Sequence, residues 1–241
     1  SWTRSFKVIS GVPILVVDGD GGNNFETWYN VAMDSTYRPY GTWDRTAHGK
    51  LSGEQLAKFF IVIWNADLAY PALSTDDMTA IGYYLDKGGR FFISGQDIGW
   101  DLCDVSSSDR TAASVAWYQN YLGATYVMDD TNLLTLTGVA GDPIGGGLSF
   151  SINGGTGSSR QDYPDEINPR TGASALFTYA TGREAGVRYQ LGSAKVVYLA
   201  YGFQAQSSLT SRTTVMNRVL NWFDVHLLDV PPTQDAVVAF H

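Results

Sequence analysis

The sequence predicts an α/β domain built on a mostly parallel central sheet. Short continuous apolar runs are typical of strands buried on both faces, and four of them span 13–17, 60–64, 90–93 and 194–200. Helical patterns lie between the first three runs, which favours parallel pairing with right-handed crossovers. The 241 residues are 44% hydrophobic, which suits one large domain with a substantial core.

The first strand and its helix set the pattern for the N-terminal half. The run 13–17 ends in a turn cluster at 18–24, Asp-Gly-Asp-Gly-Gly-Asn-Asn. We expect a helix capped by Asn23, with Glu26 three residues further on completing a capping box. A second strand is predicted over 37–43.

Two further capping boxes predict the next helices. Ser52 with Gln55 opens a short helix, and Ser74 with Asp77 opens a longer one. The glycines at 88–89 end the longer helix, as a left-handed C-cap does. The strand 90–93 then runs directly into the polar turn Ser-Gly-Gln-Asp.

The second half is interrupted by a glycine-dense segment. A helix is predicted over 111–122, and short strands separated by turns indicate a β-rich insertion or subdomain. The parallel pattern then returns in the last apolar run and a final helix. The predicted units are an N-terminal strand extension (1–12), the α/β domain (13–223) with its insertion (about 124–190), and a C-terminal extension (224–241) with a strand at 235–240.

Composition narrows the function classes. The net charge is -8 with only 16 basic residues, which disfavours a nucleic-acid partner. No run approaches the roughly 18 apolar residues of a membrane span. Abundant Gly, Tyr and Trp with little Lys favour a secreted protein. We expect a processed product or an excised piece of a longer chain, since the sequence shows no cleavable signal and begins at Ser1 rather than Met.

The turn after the third apolar run is the first candidate site, because ligands of open α/β sheets bind at the carboxyl ends of strands. Ser94 would need a histidine base, and of His48, His226 and His241 only His48 lies in a loop that could reach it. Asp97 is the other catalytic candidate. The alternative is that Ser94, Gln96 and Asp97 bind ligand or backbone as polar turn residues.

Cys103 is the only cysteine, so no internal disulfide forms. The flanking Asp101 and Asp104 are expected to raise the pKa of its thiol, whereas a catalytic thiol needs an electropositive setting. A packed small apolar side chain is the favoured interpretation.

The turn 18–24 is a candidate cation site. Oxygens of Asp18 and Asp20, with Asn23 nearby, suit Ca²⁺ better than phosphate, although the spacing does not match an EF-hand. Capping and turn formation is the alternative. For the oxygen-rich loops at 129–130 and 161–166, the two interpretations are cation binding and simple solvation. A sugar-stacking platform is a further alternative to core packing for the aromatic residues Trp28, Tyr29, Trp43, Trp64, Trp100 and Trp117.

A family resemblance rests on several stretches, of which Gly88-Gly89-Arg90 followed by Ser94-Gly95-Gln96-Asp97 is the most specific. The others are 14–22, 25–29, 62–64, 138–143, 161–165 and 196–223. Over about 13–223 the sequence resembles a domain common in large secreted bacterial proteins that often carry a subtilisin-like or metallopeptidase domain elsewhere. That domain is similar to the class I glutamine amidotransferase-like fold. The resemblance therefore implies a flavodoxin-like three-layer α/β sandwich.

The sequence departs from the amidotransferase pattern at both catalytic positions. Amidotransferases use a Cys at the nucleophile turn, which falls near Gly95 or Gln96 here, and a His-Pro-Glu element after a late strand. The late element reads Gly202-Phe203-Gln204-Ala205, and Cys103 is too far past the turn to substitute. The resemblance thus implies a degenerate domain without amidotransferase activity.

The leading hypothesis is a non-catalytic accessory, scaffold or binding domain of a secreted prokaryotic protein, with calcium as the only candidate cofactor. Its partners would be other domains of the parent protein or like subunits. One alternative is self-assembly through the alternating terminal strands at 2–9 and 235–240. Another is a hydrolase that uses Ser94 or Asp97 with His48.

Overall fold

One sheet forms the centre of the molecule. The computed structural model describes residues 12–224. The eleven strands of this part of the chain are β1 (Ile14–Asp18), β2 (Tyr40–Asp44), β3 (Ile61–Asn65), β4 (Arg90–Ser94), β5 (Ala124–Met128), β6 (Thr135–Gly138), β7 (Ser149–Ser151), β8 (Glu166–Pro169), β9 (Ala173–Tyr179), β10 (Glu184–Leu191) and β11 (Ala194–Leu199). Their order is β2-β1-β3-β4-β11-β10-β9-β6-β7, with β8 on β10 and β5 on β8.

Helices lie between the parallel strands along the chain, and one more follows the last strand. They are α1 (Glu26–Asp34), α2 (Arg45–His48), α3 (Gly53–Leu56), α4 (Thr75–Asp86), α5 (Ile98–Cys103), α6 (Ala112–Trp117) and α7 (Leu209–Trp222). A π-helical turn, Tyr118–Leu122, continues α6, and a 3-10 turn, Phe203–Ala205, follows β11. Within residues 12–224, no helix has the length and apolar character needed to cross a membrane.

The sheet is parallel in one half and antiparallel in the other. Strands β2, β1, β3, β4 and β11 pair in parallel, as the apolar runs predict. Strand β10 then joins β11 antiparallel, and β9 joins β10. The glycine-dense insertion is β-rich as predicted, and its strands continue the central sheet.

The buried side chains form two clusters, one on each face of the sheet. Ile14 and Val16 of β1 belong to the cluster that contains buried residues of α1 and α7. Leu15 and Val17 belong to the cluster that contains buried residues of α4. Because successive strand residues point to opposite faces, this alternation defines three layers, in agreement with the predicted α/β sandwich.

The capping predictions are confirmed at two helices and wrong at one. Ser52 and Ser74 both form capping boxes, and Gly88 ends α4 with a φ of +85°. Asn23, however, does not cap α1, which begins at Glu26 without a side-chain cap. Oδ2 of Asp20 accepts the hydrogen bond from the Phe25 amide instead, at 3.1 Å.

The predicted strands at 2–9 and 235–240 lie outside the described residues. The assembly hypothesis that depends on them therefore stays a prediction. Strand β2 begins at Tyr40, three residues later than the pattern over 37–43 indicates.

Candidate functional site

Loops with polar side chains meet at the carboxyl ends of four adjacent parallel strands. The register places Asp18 of β1 beside Asn65 of β3, Asn65 beside Ser94 of β4, and Ser94 beside Leu199 of β11. The segments that follow these strands therefore share one edge of the sheet. This is the edge at which open α/β sheets bind ligands.

Ser94 is buried beneath this edge, with both sides of its hydroxyl engaged. It shares a short hydrogen bond with the Tyr29 hydroxyl and accepts the backbone N–H of Phe203 at 3.1 Å. Burial raises the pKa of Tyr29 well above its usual value, so this phenol stays protonated at neutral pH. Neither bonded neighbour is a base that could take the Ser94 proton.

His48 is remote from this turn. It lies exposed on α2 after the edge strand β2, with its ring 5.3 Å from that of Trp43. Because β1 and β3 separate β2 from β4, the strands lie about 14 Å apart at roughly 4.8 Å per strand. The structure therefore does not assemble the predicted pair of Ser94 and His48. His226 and His241 lie outside the described residues.

Gln96 holds the insertion against the β4 turn. Its Oε1 accepts the backbone N–H groups of Asp162 and Tyr163 at 2.7 and 2.9 Å. Its Nε2 donates to the carbonyl of Arg160 at 3.0 Å. The side chain is fully buried, so the turn that the sequence predicts as a candidate site is covered by the chain itself.

Asp67, which the sequence reasoning missed, lies at the centre of this network. It is fully buried, and Oδ1 accepts hydrogen bonds from Nε2 of Gln161 at 3.2 Å and Nε2 of Gln96 at 3.4 Å. Burial raises the pKa of Asp67 to about 7, although the hydrogen bonds from Gln161 and Gln96 oppose the shift. Its backbone φ of +29° is unusual for a non-glycine residue.

The loop after β11 closes the network from the other side. Oε1 of Gln161 accepts the backbone N–H of Gly202 at 2.5 Å. A Cβ on Gly202 would lie 2.4 Å from Oδ1 of Asp67 and 2.1 Å from Nε2 of Gln204, so a larger residue has no room here. In the sequence, Gln204 is distinguished only because its segment departs from the His-Pro-Glu element, and nothing there indicates its place beside Asp67.

Asp97 is the titratable group of this turn that keeps some exposure. Burial, with smaller contributions from the charges of Asp129, Asp67, Asp101 and Asp162, raises its pKa to about 7. Its carboxylate does not cap α5. Asp97 therefore has a pKa suited to proton transfer, but the neighbours that shift it are all acidic.

Asp165, from the oxygen-rich loop of the insertion, accepts hydrogen bonds from the first turn of α5 in place of Asp97. Its Oδ2 accepts the backbone N–H groups of Gly99 and Trp100 at 2.8 and 3.3 Å. The carboxyl group is fully buried, and burial raises its pKa well above the usual value, as does the charge of Asp97. This loop serves α5 in the way a capping residue does.

Cys103, at the end of α5, is not an activated thiol. Burial raises its pKa to about 12, with a smaller contribution from the charge of Asp165. The predicted direction is confirmed, but burial outweighs the flanking acids named in the sequence analysis. A thiol with this pKa carries almost no thiolate at neutral pH.

Asp18 and Asp20 come together at the predicted cation loop, and the structure adds Glu26. Carboxylate oxygens of the three lie within 4.8 Å of one another. Burial and the charge of Asp20 raise the pKa of Asp18 to about 7. Asn23 points elsewhere: its Nδ2 donates to the Asp20 carbonyl at 2.8 Å and its Oδ1 accepts from Arg160 at 3.2 Å.

A cleft of about 390 Å³ lies beside this loop, and no residue of the β4 turn lines it. Arg45 and Asp77 meet in its wall at 2.6 Å, and the Arg45 guanidinium lies 5.1 Å from the centre of the Trp64 ring. Tyr70, which is 58% exposed, also lines the cleft.

The aromatic residues do not form one platform. Tyr29 and Trp64 are buried in the two different core clusters. The indoles of Trp28 and Trp117 donate to carbonyls far apart in the chain, those of Thr156 and Met78. Core packing and hydrogen bonds to distant backbone carbonyls account for these four residues.

No protein-family model matches the chain, and no curated protein matches its sequence. Solved structures match its fold. A cytoplasmic protein from Salmonella typhimurium is 11% identical at a TM-score of 0.60, over 88% of this chain and 98% of that one. A ThuA-like protein from Bacteroides uniformis is 11% identical at a TM-score of 0.58, over 92% and 95%. PurLQS from Thermotoga maritima is 12% identical at a TM-score of 0.57, over 88% and 99%.

At these identities the likeness shows the fold alone. The chain has a flavodoxin-like, class I glutamine amidotransferase-like α/β fold, as the family resemblance implies.

Proposed function

We propose that this chain is a non-catalytic accessory domain of a secreted prokaryotic protein, which acts by binding through the loops at the carboxyl edge of its sheet. The observation that carries the proposal is the filled β4 turn. Gln96 and Gln161 both bond Asp67 at the place where this fold would hold a reacting group. A substrate would have to displace these buried hydrogen bonds, and leaving such groups unpaired costs about 1–3 kcal/mol each.

The three candidate reacting groups support the same conclusion. Ser94 is buried and already bonded to Tyr29 and to the Phe203 amide. Cys103 has a raised pKa. Asp97 is the strongest rival, because its pKa of about 7 would suit a general acid or base, but the side chains whose charges raise that pKa include no serine, cysteine or histidine.

Composition supports the secreted setting. The chain is acidic, with a net charge of -8, and combines 26 Gly with 14 Tyr and 7 Trp. We propose that its partners are other domains of the same protein or like subunits. The cleft beside Tyr70 and Arg45 supplies the concave surface for such a contact.

A broad substrate panel tests the non-catalytic proposal. The full chain is assayed on amide, ester, peptide and glycoside substrates beside Ser94→Ala, Asp97→Asn and Cys103→Ala. We expect no turnover above that of the three variants. Turnover that one of the substitutions abolishes would refute the proposal and identify the reacting residue.

A further inference from the structure

The carboxylates at the start of α1 are placed as ligands of a single ion. Asp18 ends β1, Asp20 lies in the turn that follows, and Glu26 begins the helix. Their oxygens lie within 4.8 Å of one another. Ca²⁺ binds oxygen at about 2.4 Å, so one ion at the centre can reach oxygens separated by up to about twice that distance.

This negative charge has no partner of opposite sign. Among residues 12–224, none of the three carboxylates forms an ion pair with a lysine or arginine, and the nearby Arg45 is paired with Asp77. Asp20 is nevertheless fully buried. A buried carboxylate without a counter-charge is costly unless it is protonated or binds a cation.

Asp20 is also held in a fixed orientation. Its Oδ1 accepts the backbone N–H of Gly22 at 3.0 Å, and its Oδ2 accepts the backbone N–H of Phe25 at 3.1 Å. A ligand whose position is set by several hydrogen bonds binds metal with little loss of side-chain entropy.

A second, independent observation concerns Asn65. This side chain is fully buried, and its Oδ1 has no hydrogen-bond partner although its Nδ2 contacts Asp20. Turning the amide over would place Oδ1 at the 3.1 Å now occupied by Nδ2, which is a normal spacing for neighbouring oxygens on one ion. Oε2 of Glu26 is likewise inaccessible and without a partner.

We propose that Asp18, Asp20, Glu26 and Asn65 bind one Ca²⁺ ion. All the donors are hard oxygens, with no sulfur or imidazole to favour zinc or copper. A cage of protein oxygens suits Ca²⁺ better than Mg²⁺, which prefers to keep several waters. The ion would tie the end of β1 to the N-terminus of α1, and this inference holds whether or not the domain is catalytic.

The competing explanation is that the carboxylates only stabilise α1. Acidic groups at a helix N-terminus interact favourably with the helix dipole without any metal. The two explanations differ in what a chelator does, because a helix-dipole contact needs no ion.

Calorimetric titration of the metal-stripped full chain with CaCl₂ tests the proposal, with thermal unfolding in EDTA and in Ca²⁺ as a second readout. We expect one site per chain and a higher Tm in Ca²⁺. Glu26→Gln should weaken Ca²⁺ binding by about tenfold or more while the chain still folds in EDTA. The matched control is Glu54→Gln, because Glu54 is an exposed acid in the first turn of another helix, α3.

Each other outcome would overturn a stated part of the proposal. Absence of Ca²⁺ heat with an unchanged Tm would show that the carboxylates act on α1 alone. Ca²⁺ binding that is as tight in Glu26→Gln as in the Glu54→Gln control would place the ion elsewhere. Binding of Mg²⁺ as tight as that of Ca²⁺ would overturn the choice of ion.

Discussion

Gln161 donates a hydrogen bond from Nε2 to Oδ1 of Asp67 at 3.2 Å, across 94 positions of the chain. The bond joins the insertion to the end of the parallel strand β3, beneath the turn of β4. Gln161 also accepts the backbone N–H of Gly202 at 2.5 Å, so one amide links three loops. These two hydrogen bonds hold the insertion over the carboxyl ends of β3, β4 and β11.

We predict that Gln161→Ala lowers the free energy of unfolding by about 2–4 kcal/mol, because the Gly202 amide and the Asp67 carboxylate both lose a buried partner. Urea unfolding measures the change. Gln190→Ala is the matched control, since Gln190 is exposed and bonds only the nearby Gly192 carbonyl, at 2.9 Å. An equal loss in the two variants would mean that the buried network contributes nothing.

Asp67 should make the protein less stable as the pH rises. Its pKa is about 7 in the folded chain and about 3.8 unfolded, so the folded state holds more protons between these values and stability falls across that window. Asp67→Asn removes this dependence. Asparagine also tolerates a positive φ better than most residues.

Urea unfolding of Asp67→Asn and wild type, in EDTA throughout, measures the effect. We expect similar stabilities near about pH 4 and an advantage on the order of 2 kcal/mol for the variant near about pH 8. A difference between the two proteins that is the same at both pH values would show that the Asp67 pKa is not raised.

Cys103 should resist modification in the folded protein. Burial raises its pKa to about 12, so the reactive thiolate is scarce at neutral pH. We predict that an aromatic disulfide reagent reacts at least about a hundredfold more slowly with the native chain than with the chain unfolded in urea, where the pKa returns to about 8.5. Similar rates in the two states would contradict a half-buried thiol with a raised pKa.

The strands of the parallel half could be predicted because their signal is local. The apolar runs at 13–17, 60–64, 90–93 and 194–200 each contain most of the information needed to recognise a buried strand. The capping boxes at Ser52 and Ser74 are equally local, since both partners lie within one helical turn.

The polar network could not be predicted, because its members come from distant segments. The sequence reasoning found Gln96 from its place after β4, but it missed Asp67 and the role of Gln161. Asp67 meets Gln96 across 29 positions of the chain. The insertion that carries Gln161 meets Gln96 across 66 positions, through the Asp162 amide. A buried aspartate after β3 has no sequence signal that separates it from an exposed one.

At the start of α1, a hydrogen bond from the Phe25 amide to Asp20 replaces the capping box that the sequence predicts. Glu26 was expected to complete a capping box with Asn23, which is the usual meaning of that spacing. In the structure Asp20 accepts the Phe25 amide, and Glu26 lies with Asp18 and Asp20 instead. The sequence pattern therefore singles out Glu26, the third carboxylate of the candidate cation site, but predicts it as a capping residue and not as a ligand.

Covalent labelling followed by intact mass and peptide mapping tests the central claim, that the β4 turn has no reacting group, most directly. The native chain is incubated with a fluorophosphonate for serine and with an epoxide for carboxylates. We predict no stoichiometric adduct on Ser94 or Asp97, because Ser94 is buried with its hydroxyl engaged and the charges that raise the pKa of Asp97 are all negative. A one-to-one adduct on either residue, lost in Ser94→Ala or Asp97→Asn, would contradict it.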